Sequence, residues 1–129
     1  MLCSYCGRAA VLVTGREIYP HRSDLYAKQF WSCRDCDAYV GCHRGTTRPL
    51  GRLANAELRQ AKMRAHRAFD RLWQSGRTSR SRAYRLLAER LELTVDDCHI
   101  GMFDLATCER VLVVTKEISR QLQEENQNG

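Results

Sequence analysis

The sequence predicts an α+β protein, a small cysteine-rich β-sheet ribbon followed by a helical segment of three to four helices. Three observations predict it. Five of the seven cysteines and most of the β-branched and aromatic runs fall in residues 1–47. From Asn55 onward apolar residues recur at helical spacing. Between the two, Pro49 and Gly51 punctuate a short stretch that reads as a connector.

Each element has its own signal. Ala9–Thr14 is an apolar, β-branched run that reads as a strand. Gly15 marks a turn, and Glu17-Ile18-Tyr19 is expected to return as a second strand. Gln29–Ser32 and Ala38–Val40 read as further short strands. Asn55 is a good N-cap, with Glu57 in the first turn where the helix dipole favours it. Leu58, Ala61, Ala65, Ala68, Phe69, Leu72 and Trp73 then form an apolar stripe, and Gly76 fits the stop. A second helix is expected from Thr78 or Ser79 to Leu91, burying Ala83, Tyr84, Leu86 and Leu87. Thr94 and Asp97 resemble a capping pair. Asp104 can cap a last helix with the stripe Leu105, Cys108, Leu112, Thr115, Ile118 and Leu122. The expected organisation is a ribbon at 1–47, a connecting loop at 48–54, helices at 55–122 packed on the ribbon, and a polar tail at 123–129 that frays.

With 129 residues, 43% of them hydrophobic and 28% charged, wholesale disorder and fibrous repeats are excluded. The longest apolar runs span a few residues, against about 20 for a membrane span. Met1–Cys6 has neither a basic nor an apolar signal region, so a cytoplasmic protein is expected. In that compartment seven cysteines, an odd number, read as metal ligands or reduced thiols before disulfides.

Cys3-Ser4-Tyr5-Cys6 and Cys33-Arg34-Asp35-Cys36 are two CxxC units. Each turn places two sulfurs on one side of a tight loop, and two such knuckles supply the four corners of a tetrahedron, the arrangement a structural zinc ion prefers. Gly7 follows the first knuckle and can take a left-handed conformation. A redox CxxC would open a helix after a buried strand, and neither unit does. Four sulfurs leave no open position, so the expected role of Cys3, Cys6, Cys33 and Cys36 is structural. Cys42-His43 reads as a buried thiol beside a hydrogen-bonded imidazole, with substitution for a zinc ligand as the alternative. Cys108 reads as core, and a second metal site built on Cys98, His99 and Cys108 is disfavoured. His66 reads as solvent-facing. Tyr26, Phe30, Trp31 and Tyr39 are read as core around the metal before base-stacking groups.

Charge is uneven. Residues 48–90 hold 12 basic and 3 acidic side chains, whereas residues 91–129 hold 3 basic and 8 acidic. On a wheel with Arg59 at zero, Arg64, Arg67 and Arg71 fall at about 140°, 80° and 120°, outside the apolar face. They form an arginine ridge, flanked by Arg59 and Lys62, that attracts phosphates. The bland alternatives are a solvated basic face and neutralisation by the acidic C-terminal segment. The loop Gly41–Arg52, carrying His43, Arg44, Arg48 and Arg52, reads equally as a binding loop and as a rigid connection. No Ser-His-Asp order, P-loop, HExxH or Gly-rich dinucleotide loop occurs, so an enzyme is not expected.

Several stretches carry a resemblance: Cys3-x-x-Cys6-Gly7, Ile18-Tyr19-Pro20-His21, Val40-Gly41-Cys42-His43-x-Gly45-Thr46-Thr47-x-Pro49-Leu50-Gly51-Arg52-Leu53-Ala54, Ala68-Phe69-Asp70-x-Leu72-Trp73 and His99-Ile100-Gly101-Met102-Phe103-Asp104. Across roughly residues 3–115 the chain resembles a family of small bacterial and phage proteins known as a zinc-finger-containing domain of unknown function. The resemblance implies a zinc-binding β-ribbon fused to helices, with Cys3, Cys6, Cys33 and Cys36 matching the ligand pattern. It supplies no reaction or substrate, and it makes a phage or mobile-element role an expectation. The functional expectation is a non-enzymatic zinc protein. It binds nucleic acid through His43, Arg44, Arg48, Arg52, Arg64, Arg67 and Arg71. The alternative is an interaction module, or phage-encoded inhibitor of a host complex, that grips an acidic protein surface.

Overall fold

The computed structural model of the chain describes residues 1–128. It is α+β: strands β1 (Val11–Thr14), β2 (Gln29–Cys33) and β3 (Ala38–Gly41), a short helix α1 (Gly15–Ile18) between the first two strands, then α2 (Ala56–Gln74), α3 (Arg80–Arg90) and α4 (Leu105–Asn128). Single 3-10 turns occupy Ser23–Leu25, Val95–Asp97 and Ile100–Met102. The chain forms two compact units, Met1–Arg59 and a second from Gln60, with the division inside α2.

In the first unit the sheet is antiparallel in the order β1-β2-β3, pairing Leu12 with Trp31, Val13 with Phe30, Trp31 with Val40 and Cys33 with Ala38. Alternation along the strands separates two faces. Trp31, Cys33, Ala38 and Val40 share one face and pack with Cys3, Ala10, Cys36 and Leu53 into a core. Phe30, Tyr39 and Gly41 share the other, where Tyr19, Phe30 and Tyr39 meet edge to face with centroids 5.8–6.1 Å apart.

Two expectations for this unit are corrected. Glu17-Ile18-Tyr19 is not a strand. The chain closes a helical turn, with the Tyr19 N–H bonded to the Gly15 carbonyl at 2.7 Å, because Gly15 presses against the Leu25 backbone. A Cβ at Gly15 would lie 1.7 Å from the Leu25 carbonyl oxygen. The G15A substitution is therefore expected to destabilise the unit by about 3 kcal/mol or more, measured by urea unfolding. Residues 48–54, expected as a connecting loop beyond the ribbon, are paired back onto it. Cys42 bridges Pro49, Tyr39 bridges Ala54, and the His43 N–H bonds the Arg48 carbonyl at 2.8 Å. Leu53 is fully buried, so this stretch belongs to the ribbon.

The helical signals act as expected. The Leu58 N–H bonds Asn55 Oδ1 at 3.0 Å, the Arg82 N–H bonds Ser79 Oγ at 3.1 Å, and the Thr107 N–H bonds Asp104 Oδ1 at 2.8 Å. Gly76 ends α2 at φ +81°. Ala61, Ala65, Phe69 and Leu72 are buried on α2, and Ala83, Leu87 and Ala88 on α3, whereas Ala68, Trp73, Tyr84 and Leu86, expected on the apolar faces, are half-buried. On α4 the buried stripe is shifted from the expected one: Cys108, Thr115, Ile118 and Leu122 are buried with Val111 and Val114, whereas Leu105 and Leu112 are half-buried. The helix also runs past Leu122 to Asn128, held in part by Glu125, which pairs with Arg82 at 2.9 Å. Gly129 lies outside the described residues.

Candidate metal centre

Each CxxC unit is shaped by its own backbone. The Cys3 carbonyl accepts from Gly7 at 3.0 Å, and the Cys3 N–H donates to the Arg8 carbonyl at 2.7 Å. The chain can leave this loop because Gly7 sits at φ +76°, a region L side chains rarely enter. In the second knuckle the Arg34 carbonyl accepts from Asp37, which takes the same left-handed role at φ +48°. Aspartate tolerates that region better than most residues. The β2–β3 pairing of Cys33 with Ala38 then fixes the second knuckle at the end of the sheet.

The result is a four-sulfur cluster. The Sγ atoms of Cys3, Cys6, Cys33 and Cys36 all lie within 4.8 Å of one another, with Cys6 and Cys33 at 3.7 Å. A tetrahedral zinc ion at about 2.3 Å from each sulfur requires sulfurs about 3.8 Å apart, so the donor set matches zinc in number, type and spacing. Cys3 and Cys33 are buried, Cys36 is half-buried and Cys6 is exposed.

The electrostatics point the same way. Burial works against ionisation of Cys3, but N–H donors from Tyr5 and Cys6 and the Cys33 and Cys6 thiols outweigh it and lower its pKa to about 7. Cys36 is pushed up to about 12, first by burial and then by the thiols of Cys6, Cys33 and Cys3. The Cys36 N–H favours ionisation of Cys33, yet burial and the Cys6 and Cys3 thiols raise it overall. One thiolate forms readily and further anions beside it are penalised. A divalent cation at the centre of the four removes that penalty.

Both knuckles also grip the start of α2. The Asn55 N–H donates to the Tyr5 hydroxyl at 3.1 Å. Arg59 donates to the Asp37 carbonyl at 3.0 Å and the Ala54 carbonyl at 2.7 Å, and its guanidinium lies 4.0 Å over the Tyr39 ring. Arg59 is thus a structural clamp rather than a flank of the arginine ridge. Sequence spacing did not separate it from its neighbours, because its partners lie 5 to 22 residues away.

The remaining candidates are placed as follows. His43, Arg44 and Arg48 are exposed on the hairpin after β3, and Arg52 is half-buried. Arg64, Arg67 and Arg71 are exposed along one face of α2. Cys42 is half-buried outside the sulfur cluster, and His43 is exposed rather than tucked beside it. Cys98 and Cys108 are fully buried and His99 is exposed. Among the described residues no metal-binding group forms around them. Of the aromatics expected around the metal, Trp31 packs against the metal-side core, with its indole N–H holding the Thr47 carbonyl at 2.7 Å, whereas Phe30 and Tyr39 lie on the opposite face of the sheet.

Among the described residues no helix is long and apolar enough to cross a membrane. Searches of curated proteins and of solved structures find no match. A family model described as a zinc-finger-containing domain matches residues 1–118. That span contains both knuckles and most of the helical segment, and the chain belongs to this zinc-finger-containing domain family.

Proposed function

We propose that the chain is a non-enzymatic nucleic-acid-binding protein whose ribbon is stiffened by one zinc ion. The observation that carries this reading is the contrast among its arginines. The acidic C-terminal helix does neutralise part of the basic segment, since Arg82 pairs with Glu125 at 2.9 Å and Arg90 with Glu117 at 3.1 Å. Arg64, Arg67 and Arg71 take no part in it. All three are exposed, and among the described residues none of their guanidinium groups has a hydrogen-bond or ion-pair partner.

These side chains span about 10 Å of helix axis, a length comparable to three phosphates of one strand. Three unpaired guanidiniums on that spacing offer charge-assisted hydrogen bonds to phosphate oxygens. His43, Arg44, Arg48 and Arg52 on the ribbon supply further phosphate contacts. The four-sulfur ion has no open coordination position and serves the fold.

A salt titration of binding to labelled DNA and RNA tests the reading. Three phosphate contacts alone predict that log affinity falls with log salt at a slope of about −2.7, and the ribbon cations steepen it. Affinity unchanged between 50 and 200 mM salt, or no binding at low salt, overturns the proposal.

A further inference from the structure

The first unit holds a second feature that phosphate contacts do not explain. On the aromatic face of the sheet, opposite the metal-side core, the segment 19–30 and the hairpin 41–50 enclose a cleft of about 950 Å³. Its floor includes Tyr19, Phe30 and Gly41. Leu50, at its edge, is 56% exposed, a large apolar side chain left in water. The rim carries positive charge: Lys28 and Arg44 line it, both exposed, and the exposed His43 imidazole stands beside Arg44. The one carboxylate there, Asp24, is held by Arg22 through two hydrogen bonds of 2.9 and 2.8 Å, which lower its pKa and cancel its charge locally.

The walls are tied together by hydrogen bonds. The Gly15 N–H bonds the Lys28 carbonyl at 2.7 Å, and the Leu50 N–H bonds the Gly41 carbonyl at 2.8 Å. The Tyr19 and Tyr39 hydroxyls meet at 3.0 Å behind the floor. Gly41 keeps the floor low, since a Cβ there would stand 3.5 Å from both Leu50 Cδ1 and Phe30 Cε1.

We propose that this cleft receives an unpaired nucleotide of a single-stranded nucleic acid, with the base against Tyr19, Phe30 and Leu50 and its phosphates on Lys28 and Arg44. This rests on the nucleic-acid reading above and narrows it. A duplex presents phosphates and keeps its bases stacked inside, so it matches a cationic surface but leaves an apolar floor unused. A single strand offers a flat apolar face and a phosphate together, the pair of chemistries that this cleft displays. Its volume lies in the range of small-molecule sites.

The test compares a single-stranded oligonucleotide with the duplex of the same sequence, on the zinc-loaded full chain at fixed salt. The single strand is expected to bind at least about tenfold more tightly, as one stacked base allows. K28E/R44E and, separately, L50A alter exposed side chains, so circular dichroism and zinc content confirm that each variant is folded. Both are expected to shrink the single-strand preference several-fold, whereas charge reversal on α2 lowers both affinities together. Equal affinity for the two forms, or variants that weaken both equally, overturns the cleft assignment while leaving the nucleic-acid reading intact. Absence of binding to either form overturns both.

Discussion

Removing the metal is expected to unfold residues 1–59. The metal-side core of this unit comprises Cys3, Ala10, Cys33, Ala38 and Leu53, so two of these five buried residues are metal ligands and two are alanines. Outside it, the buried hydrophobic residues described in this unit are Phe30, Ala54 and Leu58. A unit of this length buries only about 60% of the surface its unfolded chain exposes and is marginal against the ordering of its backbone. Structural zinc in small modules supplies on the order of 10 kcal/mol, more than a unit of this size has in reserve. Chelation, or C33S, is therefore expected to abolish hydrogen-exchange protection across β2 and β3. The Tyr5 and Arg59 clamps on the start of α2 are lost with it. C42S removes a thiol outside the cluster and is expected to keep both metal and protection. The helices α3 and α4 provide an internal reference, since they lie in the second unit, where Leu87, Val111, Ile118 and Leu122 are buried. Protection retained over residues 29–41 after verified metal removal contradicts the structural role.

The second large effect is expected from R64E/R67E/R71E. Glutamate is as good a helix former as arginine, and all three positions face solvent, so α2 is expected to form as before. The charge change is six units on one face, and cationic contacts to about three phosphates become repulsive. Affinity for nucleic acid at 100 mM salt is expected to fall by more than about 100-fold, and the salt slope to shrink by about 2.7. Replacing Arg82 and Arg90 instead breaks their ion pairs with Glu125 and Glu117 and is expected to cost stability before affinity. Fluorescence anisotropy across a salt series separates the two. A triple variant that binds like the parent chain removes the ridge from the account.

What the sequence revealed follows the range of the interaction responsible. The knuckles, Asn55, Ser79, Asp104 and Gly76 were legible because each acts within a few residues of itself. Glu17–Tyr19 was misread because its strand propensity is local, whereas the constraint that overrides it, Gly15 against Leu25, comes from ten residues away. Pro49 and Gly51 suggested a connector, yet the Tyr39–Ala54 and Cys42–Pro49 bridges pair that stretch back onto the ribbon. The helix past Leu122 was hidden by its polar composition, which the Arg82–Glu125 pair and the Gln121–Glu125 hydrogen bond at 3.1 Å offset. For the cleft the sequence offered only its parts, the loop from Gly41 and the aromatic Phe30. Its lining comes from segments 19–30 and 41–50, and the pairing of β2 with β3 brings them together.

The claim beneath all of this is that Cys3, Cys6, Cys33 and Cys36 hold one zinc ion. X-ray absorption at the zinc edge on the purified full chain, with metal content measured on the same sample, tests it most directly. One zinc per chain, surrounded by four sulfurs at about 2.3 Å and no nitrogen or oxygen, is the expected result. A folded chain without zinc, or zinc bound through nitrogen or oxygen, contradicts it.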